Sequence, residues 1–164
     1  MNDEVMYLDH AAATPVDAKV LAAMQPYFSD SFYNPSAPYA PAVTVRREYE
    51  AAKQTIARAI GAKGDDLVIT AGATESINLA FSSIGGHVVT ANIEHHAVLA
   101  AAKRYEHTII AADDKGIVSA ATVKAAIRPS TKLVSIALAN NELGTIQPLR
   151  DIAEVIKNER TKRL

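Results

Sequence analysis

Three short clusters in this 164-residue chain carry side chains and backbone arranged for chemistry. The first is Thr70-Ala71-Gly72-Ala73-Thr74-Glu75-Ser76, entered from the apolar run Leu67-Val68-Ile69 and left through the helix-like Ile77-Asn78-Leu79-Ala80. Small residues let a backbone approach a ligand closely, and a helix start offers unpaired N–H groups at the positive end of its dipole. Phosphate is the natural guest, with the hydroxyls of Thr74 and Ser76 as further donors. The plainer alternative is that Thr74 caps the helix. The second cluster is Glu94-His95-His96. A ring at a helix start can stack on a flat aromatic cofactor or carry a proton near neutral pH, or it can be an ordinary surface histidine. A metal is not expected there: neighbours within a helix do not face each other, and no third ligand stands at useful spacing. The third cluster is Asn140-Asn141-Glu142-Leu143-Gly144. Its amides can hold a hydroxyl or carboxylate in a fixed orientation, or serve only the turn, since Asn and Gly tolerate positive φ. Glu142 reads as an ion-pair partner or as an orienting group for its neighbours.

The elements that must carry these clusters follow from periodicity. Asp17 caps a helix bearing Val20, Leu21, Met24, Tyr27 and Phe28, with Pro26 as a kink or stop. Residues 29–40, with Asn34-Pro35-Ser36-Ala37-Pro38, form a loop. Pro41 opens a helix to Ile60, stopped by Gly61, with Val45, Tyr49, Ala52, Ile56, Ala59 and Ile60 on one stripe. From Asp66 onward strands and helices alternate. Strands are expected over 67–70, 87–90, 108–112 and 132–139, and helices over 74–83, 95–105, 119–127 and 148–158. The turns fall at Gly85-Gly86 and Asp113-Asp114-Lys115-Gly116. This alternation predicts an α/β fold of three α/β/α layers around a mainly parallel sheet. Ligands of such sheets sit beyond the carboxyl ends of the strands, where all three clusters fall.

Composition narrows the classes. Hydrophobic residues make up 49% and charged residues 21%, and the formal net charge is −1. That balance gives a sizeable core but no basic face for nucleic acid or an anionic membrane. Cysteine is absent, which excludes disulfides, thiolate metal sites and a thiol nucleophile within this chain. The start, Met1-Asn2-Asp3-Glu4-Val5, is acidic where a secretory signal is basic, and no apolar run approaches the ~18 residues of a spanning helix, so a cytoplasmic location is expected. Neither a Gly-x-Ser-x-Gly elbow nor a Gly-Lys-Ser/Thr loop occurs, so hydrolase and nucleotide triphosphatase chemistry lack support. His10, His87 and His107 have no evident partners and read as structural or solvated.

With the clusters in this order, the chain resembles the fold-type I, class V pyridoxal-phosphate enzymes, and most closely the cysteine desulfurases of iron–sulfur assembly. The matching stretches are Tyr7-Leu8-Asp9-His10-Ala11-Ala12-Ala13-Thr14-Pro15-Val16, Asn34-Pro35-Ser36, Thr70 to Ala80, Glu94-His95-His96-Ala97-Val98-Leu99, and Val134-Ser135-Ile136 through Asn140-Asn141-Glu142-Leu143-Gly144-Thr145-Ile146-Gln147-Pro148. By resemblance, Ala73 and Thr74 receive the phosphate of pyridoxal 5'-phosphate. His95 stacks on the pyridine ring with an acid–base role, and Asn141 stands beside the ring hydroxyl and the substrate carboxylate. The resemblance implies L-cysteine as the substrate of the full-length enzyme, alanine and an enzyme persulfide as products, and a homodimer. It also implies an iron–sulfur scaffold or sulfur acceptor protein as partner.

The family's later elements are missing: an Asp-bearing strand for the pyridine nitrogen, a nearby Gln, a Ser-His-Lys stretch with the Schiff-base lysine, the catalytic cysteine, and a small C-terminal domain. Residues 1–164 are therefore expected to be an N-terminal arm plus the first part of the large cofactor-binding domain, inactive alone. Fragments of selenocysteine lyases or other class V aminotransferases, and a non-catalytic remnant that binds the cofactor or a partner, are the alternative readings.

Overall fold

A computed structural model describes residues 6–162; the acidic start at residues 1–5 and the last two residues, 163 and 164, lie outside the described residues. The chain divides into two compact units, one ending at Ile69 and the other beginning at Thr70.

The first unit is helical. The Asp17 carboxylate accepts from the Lys19 N–H at 2.8 Å and starts α1 (Ala18–Met24). Pro26 then opens a separate turn, α2 (Pro26–Ser29), which is the break expected of it. In the connecting loop the Asn34 side chain accepts from the Ser36 N–H at 2.9 Å. Helix α3 (Ala40–Ala59) has Pro in its first turn. Its expected apolar stripe is corrected: Tyr49, Ile56 and Ile60 are exposed, and the buried positions are Ala42 and Ala57. The expected strand over 67–70 does not form. Leu67 has extended dihedrals, but residues 67–70 pair with no strand among the described residues, and Val68 and Ile69 are exposed. An extended run becomes a strand only when another edge takes its backbone groups.

The second unit is the α/β layer structure. It runs α4 (Ala73–Ser82), β1 (His87–Ala91), α5 (His96–Ala102), β2 (His107–Ile110), α6 (Ala120–Ala126), β3 (Thr131–Ser135) and α7 (Leu149–Thr161). The three strands are parallel in the order β2-β1-β3. Every residue of the central β1 is buried, as a strand covered on both faces requires. Alternation along it builds two cores. Val88, level with Leu133 of β3, packs with Phe81 of α4 and Val98, Ala101 and Ala102 of α5. Val89, level with Val134, packs with Ile110, with Val123 of α6 and with Ile152 of α7. Successive side chains thus serve opposite helix layers. The expected strand over 132–139 ends earlier, at Ser135. Beyond it the chain leaves the ladder and folds into a loop closed by an isolated antiparallel bridge between Ala139 and Ile146. No helix among the described residues is long and apolar enough to cross a membrane.

The amino end of the sheet is held by His87, which is fully buried. Its Nδ1 and Nε2 meet the hydroxyls of Thr131 and Thr108 at 2.8 and 2.9 Å. Burial, and then the Arg128 guanidinium, push this imidazole below its ordinary 6.5. It is a structural histidine, and its partners lie on the two neighbouring strands.

Candidate functional site

Helix α4 delivers the chain through Gly85-Gly86 to the amino end of β1, so its own start lies at the carboxyl end of the sheet. The N-cap position there is Gly72, with φ 163° and ψ 175° and no side-chain cap. Thr74 lies inside the first turn, so the capping alternative for it is set aside. A Cβ built on Gly72 meets nothing within 4 Å, which leaves this face of the helix start open. No acceptor among the described residues meets the N–H groups of Ala73 and Thr74 or the Thr74 hydroxyl. These are the orphan donors of a helix start, and they suit an oxyanion. Ser76, expected as a further donor, is turned away: its hydroxyl lies 2.6 Å from that of Thr70 and 3.4 Å from the Gly72 carbonyl. Glu75 reaches back to accept from the Ala71 N–H at 2.7 Å, which places one carboxylate in the first turn and partly offsets the helix dipole.

The turn after β1 carries His95 as the N-cap of α5. Its Nδ1 accepts from the Ala97 N–H at 3.1 Å, so the neutral ring carries its proton on Nε2. Because His95 has extended rather than helical dihedrals, its ring comes to 4.8 Å from that of His96. The separation expected of helical neighbours therefore does not hold here. Among the described residues no group of three metal-ligating side chains forms.

The loop after β3 carries Asn141, which is exposed. Its neighbour Asn140 is half-buried and works locally: its Oδ1 accepts from the N–H groups of Glu142 and Leu143 at 2.9 and 2.8 Å, while its Nδ2 donates to the Ile93 carbonyl at 2.7 Å. Glu142 makes no ion pair among the described residues and contributes its backbone instead. The sequence reading left out Gln147. Buried at the base of the loop, it accepts from the Val118 N–H at 2.8 Å and donates to the Gly116 carbonyl at 2.7 Å. It also missed Asn92, whose Oδ1 accepts from the Ala112 N–H at 3.0 Å. For Asn92 an amide directly after a strand was the available signal; Gln147 stands far beyond β3, and its partners Val118 and Gly116 come from a distant part of the chain.

These clusters occupy the carboxyl end of one parallel sheet, with donors for an anion at α4, an exposed ring at α5 and an exposed amide after β3. A profile of the Aminotransferase class-V family matches residues 6–162. The chain belongs to that family. It is 40% identical to "Putative cysteine desulfurase IscS 1" of Bacillus subtilis, over 96% of this chain and 45% of the relative. It is 38% identical to "Cysteine desulfurase IscS" of Dictyoglomus turgidum, over 93% and 42%. Among solved structures, "SspA in complex with cysteine" superposes with a TM-score of 0.90 at 39% identity, covering 95% of this chain and 48% of that one. A "NIFS-LIKE PROTEIN" superposes at 0.88 with 30% identity, covering 97% and 47%. The chain thus spans less than half the length of these relatives. The fold-type I architecture expected from the sequence is shared with these neighbours, as a partial domain, and the family is one of pyridoxal-phosphate enzymes.

Proposed function

We propose that this chain forms the phosphate- and ring-holding part of a cysteine desulfurase site. In this reading the N–H groups of Ala73 and Thr74 and the Thr74 hydroxyl take the phosphate of pyridoxal 5'-phosphate. The His95 ring covers the pyridine, with its Nε2–H free to donate. The Asn141 amide donates to the ring hydroxyl or orients the carboxylate of L-cysteine. The single observation that supports this most is the set of unmet donors at the start of α4, on the same sheet end as His95 and Asn141. The residues present fit the phosphate and the ring. When bound, the cofactor supplies an electron sink that lets bonds at the substrate's α-carbon and β-carbon break.

The lysine that would anchor the cofactor is not matched in this sequence, and there is no cysteine to take up sulfur. Lys115, in the turn after β2, is a lysine at the carboxyl end of the sheet, but it lacks the Ser-His-Lys context. We therefore take residues 1–164 as the N-terminal arm and first part of a large cofactor-binding domain. The dimer, the cytoplasmic setting and a sulfur acceptor or iron–sulfur scaffold partner belong to the complete enzyme.

The test is to incubate the 164-residue chain with pyridoxal phosphate and L-cysteine, then reduce with borohydride. The expected result is no sulfide or persulfide and no adduct confined to one lysine. Steady sulfide release by this chain alone, or stoichiometric labelling of Lys115, contradicts the assignment of the missing groups to other sequence.

A further inference from the structure

The turn between β1 and α5 is tied to both neighbouring strands. Toward β2, Asn92 holds the Ala112 N–H. Toward β3 there are two reciprocal ties. The Glu94 Oε1 accepts from the Ala137 N–H at 2.8 Å, and the Asn140 Nδ2 donates to the Ile93 carbonyl at 2.7 Å. Both ties join the chain just before His95 to the chain just before Asn141. They lie beyond Ser135, where the ladder between β1 and β3 has ended, so backbone pairing no longer fixes the spacing. Glu94 is also a carboxylate at 9% exposure, and burial pushes it above its ordinary 4.5. A buried carboxylate is costly to keep for its own sake. A neutral side chain would leave the Ala137 N–H without an acceptor, unless it carried a carbonyl at the same reach.

We propose that Glu94 and Asn140 are positioning residues, a two-bond clamp that holds the His95 turn and the Asn141 turn at one spacing and so sets the ring-facing pair. The ligand side of this proposal rests on the cofactor reading above; the clamp itself does not. Ring contacts at His95 and Asn141 depend on it, whereas phosphate contacts at Ala73 and Thr74, on a different helix, do not.

The test uses the whole chain as wild type, Glu94→Ala, Glu94→Gln and Asn140→Ala. Amide hydrogen exchange is read across the clamp, at Glu142 and Leu143 for Glu94→Ala and at Ala97 for Asn140→Ala, with Val89 as the core reference. None of these amides bonds to the side chain replaced in its own arm. Exchange should rise about tenfold at the distant turn and not at Val89, on the scale of one lost hydrogen bond. Glu94→Gln keeps a carbonyl at the same reach and should restore protection. Unchanged exchange at Glu142 and Leu143, a rise matched at Val89, or a Gln variant no better than Ala overturns the clamp. In a second arm, Glu94→Ala should weaken pyridoxamine 5'-phosphate about tenfold while leaving inorganic phosphate unaffected, since only ring contacts are lost. Equal weakening of both ligands contradicts the positioning role. A wild-type chain that takes up neither ligand counts against the cofactor reading, and the exchange data then decide the clamp by themselves.

Discussion

Two buried titrating side chains in the α/β unit give opposite signs of pH dependence. His87 is held neutral below its ordinary 6.5 by burial and by Arg128. The unfolded chain therefore takes up a proton that the folded chain refuses, and stability falls as pH drops below 6.5. Glu94 is raised above its ordinary 4.5 by burial. The folded chain then holds the extra proton, so its contribution falls as pH rises from 4.5 toward the elevated value. Thermal unfolding between pH 7 and pH 4.5 should show a shallower acid loss in His87→Gln, whose amide can meet one threonine hydroxyl as donor and the other as acceptor. Glu94→Gln should show a steeper one. Parallel profiles in all three proteins would contradict these assignments. At this scale the sequence showed which residue types lie at strand ends, and the clusters around Thr74, His95 and Asn141 were legible as such. What it hid was partnership. His87 finds two threonines some 20 and 40 positions away, and Glu94 and Asn140 cross-link two loops. Such pairings depend on which strands become neighbours, which local pattern does not encode.

Elements with strong local signals were read correctly, because Asp17, Pro26 and Ser119 act within a few residues of themselves. Local pattern is not enough where an element needs a distant edge. Residues 67–70 have the pattern of a strand but no pairing partner among the described residues, and the run over 132–139 leaves the sheet at Ser135 to make its own bridged loop. Glycines at the entry to β1 give a test at this scale. Gly86 has φ +138°, and a Cβ there would meet Lys132 Cγ at 2.6 Å and the Ser130 carbonyl at 3.2 Å. Gly85 has φ +51° with nothing within 4 Å. Gly86→Ala should therefore cost about 2 kcal/mol or more in urea unfolding, and Gly85→Asn, which tolerates the left-handed region, below about 1 kcal/mol. Equal costs would mean that the close approach to β3 does not constrain the turn.

Across the molecule, apolar surface remains uncovered. Beside the outer edge of β3, a groove of about 660 Å³ places the apolar Ile127, Pro129, Leu133, Val134 and Ile156 among charged side chains such as Lys132 and Arg160. Leu138, Leu143 and Ile146 are exposed in the loop beyond β3. A hydrophobic dye should brighten on the folded chain under native conditions, since patches of this kind are uncommon on isolated soluble proteins. A dye-silent sample with cooperative unfolding would show that this surface is covered in solution. Such openness fits a chain that spans less than half the length of the relatives it matches. In the proposed reading, what the chain does unaided is hold a cofactor's phosphate and ring without an anchoring lysine. The most direct measurement is calorimetric titration with pyridoxamine 5'-phosphate, whose amine cannot condense with a lysine and so reports the cradle alone. One site per chain is expected, competed by inorganic phosphate, and weakened about tenfold or more by Thr74→Val through loss of a charge-assisted hydrogen bond. No binding, or binding indifferent to both phosphate and Thr74→Val, would contradict it.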